Sequence, residues 1–79
     1  MKARRSIRRM MQRVTLASSA IEAVKYNEAK WTLDVEFREG YSYRYMHVPE
    51  FVYQALLNAE SPGAFWNSVK DRFDYVKLD

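Results

Sequence analysis

The sequence predicts an α+β fold: a three-stranded antiparallel meander, extended by a short fourth strand if the tail pairs, covered on one face by two helices and preceded by a basic N-terminal extension. Three observations predict it. The stretches KWTLDVEFR (30–38) and YSYRYMHV (41–48) alternate apolar and polar side chains on either side of Glu39-Gly40, as two half-buried strands of a hairpin do. Two later stretches carry apolar stripes at helical spacing, and each opens on a proline. The arginines crowd into the first segment, where acids are absent.

Residues 1–13 read as the extension and 14–79 as the domain. Ile7, Met10, Met11 and Val14 fall at helical spacing opposite Arg5, Arg8, Arg9 and Arg13. Like charges at i,i+4, such as Arg4 with Arg8 and Arg5 with Arg9, oppose a helix there until a partner supplies anions. Met10 or Met11 offers an alternative start that would remove Arg4, Arg5, Arg8 and Arg9. SSAIEAVKYN (18–27) is rich in apolar and β-branched residues and ends at an Asn-Glu turn, which gives the first strand. In the second, Trp31, Leu33, Val35 and Phe37 share one face, and Thr32, Asp34, Glu36 and Arg38 share the other.

The loop length then sets the register of the hairpin. A two-residue loop at Glu39-Gly40 would bury Arg44 among Trp31, Leu33 and Val35, at high desolvation cost. A three-residue loop with Gly40 in a left-handed conformation pairs Phe37 with Tyr41, Val35 with Tyr43 and Leu33 with Tyr45. This register puts the tyrosines on the apolar face and sets Arg44 opposite Asp34 on the outer one. It is the favoured register.

Val48-Pro49 starts the first helix, with Val52, Ala55, Leu56 and Ala59 as its stripe. Ser61 caps the second and Pro62 takes its first turn, with Phe65, Trp66, Val69 and Phe73 facing inward. The tail DYVKL can add a short edge strand.

Composition bounds the function. The chain has 79 residues, enough for one domain with a thin core, and 48% hydrophobic content, of which large aromatic rings carry much of the buriable area. Cysteine is absent, so no disulfide or thiolate metal site can contribute, which suits a reducing, cytoplasmic setting. No apolar run reaches the ~20 residues of a membrane helix, and no continuous apolar segment at the N-terminus marks a secretory signal, so no membrane partner is expected. The net charge of +3 conceals an asymmetry. Lys2, Arg4, Arg5, Arg8, Arg9 and Arg13 give the first twenty residues +6, which leaves −3 for the remainder.

From Val14 onward the chain resembles the KTSC domain, a module named after its occurrence at the C-terminus of some lysyl-tRNA synthetases and known also as a free-standing bacterial and phage protein. The matching residues are Ser18-Ser19, Ile21, Val24, Tyr26, the LDVEF strand, Gly40, Tyr43-Arg44-Tyr45 as the family's Y-x-Y signature, Val48-Pro49, Tyr53, Leu56-Leu57, Ala59, Ser61, Gly63, Phe65, Asn67 and Tyr75. Lys25 and His47 stand where the family often has smaller residues. The resemblance implies an association with RNA through the synthetases and assigns no reaction.

The residues assign none either. His47 is the single histidine, and no glycine-rich phosphate loop, nucleophile motif, cofactor motif or metal-ligand spacing occurs, so an enzyme is not expected. The tyrosines are expected in the core, because base stacking on an RNA-recognition sheet needs aromatics on the open face. Ser18, Ser19, Ser61 and Asn67 are read as caps and turns, or as a small polar pocket completed by the hydroxyls of Tyr43 and Tyr45. Arg4, Arg5, Arg8, Arg9, Arg13 and Arg44 are the candidate phosphate contacts. The expected function is a non-catalytic accessory module that binds nucleic acid, RNA ahead of DNA; the alternative is a protein-interaction or structural module whose basic tail meets an acidic partner.

Overall fold

The computed structural model describes residues 12–78. Five strands, β1 (Arg13–Thr15), β2 (Ile21–Asn27), β3 (Thr32–Phe37), β4 (Ser42–Tyr45) and β5 (Tyr75–Lys77), form one antiparallel sheet in chain order. Helices α1 (Glu50–Asn58) and α2 (Pro62–Val69) lie between β4 and β5 in the chain, and a 3-10 turn, Lys70–Arg72, follows α2. The class is the α+β class read from the sequence, with an edge strand added on each side of the meander. The tail supplies β5 as expected. The other edge, β1, is a strand that the sequence pattern does not reveal: three residues are too short to show alternation, and Val14, which helical spacing places on an amphipathic helix, instead pairs with Val24. Arg13, expected on the same helix, is in β1 as well, and residues 1–11 lie outside the described residues.

The β3–β4 hairpin has the three-residue loop. Leu33 pairs with Tyr45, Asp34 with Arg44 and Val35 with Tyr43. Phe37 N–H donates to Tyr41 O at 2.9 Å, and Gly40, at φ +106°, turns the chain in a region few other residues tolerate. Trp31 departs from expectation. It is not on the inner face but ends the β2–β3 turn at φ +57° and is 52% exposed, its carbonyl accepting from Val48 N–H at 2.8 Å. The Asn27 side chain accepts from Ala29 and Lys30 N–H and closes this turn early, so that β3 begins at Thr32.

A bulge between Ile21 and Ala23 inserts Glu22 as an extra residue in β2. Ile21, Val24, Leu33 and Val35 are fully buried beneath Leu56 of α1 and Trp66 of α2. The stripe of α1 is rotated from the one read in the sequence. Leu56 is its buried residue, Val52, Tyr53 and Leu57 pack around it, and Ala55 is exposed, because turning the larger side chains inward removes more apolar area from water. Pro49 stands at the N-cap position, one residue before the helix starts. Ser61 caps α2, its hydroxyl accepting from Ala64 N–H at 3.3 Å.

Candidate functional site

The two faces of the sheet carry different chemistry. On the outer face, register sets Arg13 beside Lys25, Lys25 beside Asp34 and Asp34 beside Arg44. The Arg44 guanidinium donates two bonds to the Asp34 carboxylate, at 2.7 and 3.0 Å, and Asp34 is 8% exposed. Arg13 grips Glu36 the same way, at 2.9 Å twice, and that hydrogen bond holds the Glu36 carboxyl below the usual carboxylate range. Arg38 pairs with Glu22. Each arginine described on this face therefore has an acid beside it.

Arg38 also reaches back. Its guanidinium donates to the carbonyls of Ser18 and Leu16, and its backbone N–H to Ala20 O at 3.0 Å, so one side chain fastens the β1–β2 connection to the end of β3. Nothing in the sequence singles out this role; Arg38 reads there only as an outward-facing strand residue.

On the inner face the tyrosines meet the helices unevenly. Tyr45 is buried against Trp66, edge to face with centroids 4.9 Å apart. Tyr41 and Tyr43 are half-buried, and Tyr75 on β5 is 59% exposed. Tyr43 stands 5.5 Å from Tyr41 and 5.2 Å from Tyr75, both near edge-to-face, so a continuous row of rings runs from the hairpin loop to the sheet edge. These rings line a groove of about 580 Å³ with Ser19, Arg38, Asn67 and Lys70 along its sides.

The polar pocket read from the sequence is thus brought together in part. Ser19, Tyr43, Tyr45 and Asn67 share the groove. Ser18 and Ser61 do not: Ser18 Oγ accepts from Ala20 and Ile21 N–H at 3.1 Å each, and Ser61 caps α2. Neither Tyr43 nor Tyr45 bonds Ser61 or Asn67. Gly63 explains how the loop and helix come so close, since a Cβ there would lie 2.9 Å from Ala20 Cβ. Sequence reasoning misses Tyr75 and Lys70 as groove residues; register carries Tyr75 beside Tyr45, but only if the tail is placed as β5.

A second, smaller groove of about 250 Å³ lies where the chain enters the described domain at Gln12, between Tyr53, Glu28 and Glu50. Tyr26 stacks on Tyr53 at 4.7 Å there, and its hydroxyl donates to Val48 O at 2.6 Å. Arg4, Arg5, Arg8 and Arg9 lie outside the described residues. Among the described residues no cluster of His, Asp and Glu is gathered that could hold a metal ion, and no helix is long and apolar enough to cross a membrane.

The KTSC domain model matches residues 17–73. The chain belongs to the KTSC domain family. A KTSC domain protein from Yersinia pestis has a crystal structure that superposes with a TM-score of 0.81 at 36% identity, covering 86% of this chain and 97% of the other. An uncharacterised protein of Stutzerimonas stutzeri is 41% identical over 71 residues, 87% of this chain and all of its own length. A lysine–tRNA ligase of Nostoc is 38% identical over 61 residues, which is 76% of this chain and 11% of the ligase. The KTSC domain thus occurs both alone and as a small part of a synthetase; neither the family nor the free-standing relatives indicates a catalytic function, and the ligase's name describes a protein of which the matched region is 11%.

Proposed function

We propose that this KTSC domain protein is a small non-catalytic accessory module that binds RNA, its basic N-terminal segment supplying affinity and its folded domain orienting the strand. The charge asymmetry carries the reading: +6 in the first twenty residues ahead of a remainder that sums to −3. A segment of that kind gains free energy by releasing counterions from phosphates and does so with little regard to sequence. Arg4, Arg5, Arg8 and Arg9 are its principal contacts. Arg13 and Arg44 contribute less, because each would have to share a guanidinium already held by Glu36 or Asp34. The similarity to part of a lysine–tRNA ligase favours RNA over DNA, and the absence of cysteine accords with a cytoplasmic setting.

Filter binding of labelled single-stranded RNA at low salt tests this reading. Binding is expected at ~50 mM salt and is expected to fall steeply by ~200 mM. The informative variant removes residues 1–11, which leaves β1 intact; unchanged affinity would remove the arginines from the account, and no binding by the full chain would end the RNA reading. A protein-contact reading has one observation in its favour: Val76 and Leu78, 48% and 42% exposed, sit at the β5 edge of the sheet. Light scattering over a concentration series distinguishes it, since an edge contact between copies raises the apparent mass and RNA binding alone does not.

A further inference from the structure

The groove on the helix side of the sheet is a built aromatic site that the charge-based reading does not use. Tyr75 is its exposed element. A three-residue edge strand would ordinarily leave such a ring free to rotate, but Tyr43 abuts it at 5.2 Å and 67° and Tyr45 at 5.8 Å and 51°. The ring is thus held by two neighbours in a residue that is still 59% exposed, which is the condition of a preorganised platform. Tyr41, by contrast, is engaged: its hydroxyl donates to Glu39 at 2.6 Å, and Lys77 Nζ lies 5.9 Å from its ring centroid.

The polar groups around the platform are unspent. Among the described residues the Asn67 amide and the Ser19 hydroxyl make no hydrogen bond, although both line the groove. An amide offers donors and an acceptor together, the pattern needed at the edge of a heterocyclic base. Lys70 stands on the same wall, with Asp71 3.5 Å away as a loose partner, and supplies a cation for the adjoining phosphate.

We infer that the groove seats an unpaired base of single-stranded RNA, stacked on Tyr75, with Asn67 hydrogen bonding to the edge of the base. This inference rests on the RNA reading above and assigns it a second contact, independent of the arginines. The site lies on the face that also carries the helices, so it needs no open aromatic sheet; what exposes it is that α2 covers Tyr45 and leaves Tyr75 uncovered.

The test compares two labelled strands of equal length and charge, an oligoadenylate RNA and the corresponding abasic strand, against the full-length protein by fluorescence anisotropy. The wild type is expected to prefer the strand with bases by about fivefold or more. Tyr75→Ala is expected to erase that preference, Tyr75→Phe to keep it because the ring remains, and Asn67→Ala, on an exposed helical position that does not threaten the fold, to reduce it. Circular dichroism and thermal melting of each variant confirm that the fold is retained. Equal affinity for both strands, or a preference that survives Tyr75→Ala, overturns the groove while leaving the RNA reading intact. Binding of neither strand overturns both, and loss of self-association on Tyr75→Ala with RNA binding untouched would make the groove a protein contact instead.

Discussion

Gly40 decides more than its own turn. Its positive φ makes the three-residue loop possible, the loop sets the register, and the register places three tyrosines on one face and Arg44 on the other. Open space surrounds the position where a Cβ would sit, so Gly40→Ala tests the backbone alone. It is expected to cost about 1–2 kcal/mol in urea denaturation, with no change in the buried-tyrosine signal of the folded state. The tyrosines make a second prediction. Burial pushes the phenols of Tyr26, Tyr45 and Tyr53 above their ordinary value. The folded state therefore holds these protons more tightly than the unfolded state does, so their contribution is fully present below about pH 10 and is lost as pH rises through the raised values. Phenolate absorbance in an alkaline titration should accordingly show a late fraction that appears together with loss of the near-ultraviolet dichroism.

The elements are legible in the sequence to the extent that their signals are local. Alternation around a glycine specifies β3, β4 and their register; a serine followed by proline marks the start of α2. The failures are also local in origin. Trp31 satisfies the alternation of β3, yet the Asn27 side chain closes the preceding turn and leaves it outside the strand. In α1 two stripes are available, and the choice between Ala55 with Ala59 and Tyr53 with Leu57 depends on how the helix sits on the sheet, which spacing does not encode. The observed stripe makes a contrast that mutation can read. Leu56→Ala is expected to destabilise the fold by about 2–5 kcal/mol, whereas Ala55→Ser, at an exposed position, should stay within about 0.5 kcal/mol by the same denaturation measurement. The groove is legible only in part: Ser19 and Asn67 are expected together from the sequence, but Tyr75 joins them only through β5, an edge strand of three residues.

At the scale of the molecule, charge and aromatic surface are separated. The outer sheet face neutralises its arginines in cross-strand pairs, the inner face gathers tyrosines into a groove, and the excess positive charge lies ahead of Arg13. On this account the domain contributes shape and stacking while the segment contributes attraction, and the two parts respond differently to salt. Counterion release makes the segment's share fall with ionic strength, and stacking on Tyr75 does not. The most direct measurement is therefore the slope of log affinity against log salt for single-stranded RNA, compared between the full chain and a chain lacking residues 1–11. With Lys2, Arg4, Arg5, Arg8 and Arg9 removed, the slope should flatten by roughly 3.5 units, at ~0.7 for each phosphate no longer neutralised, while a weak, salt-tolerant affinity remains. Identical slopes for the two chains would contradict the account.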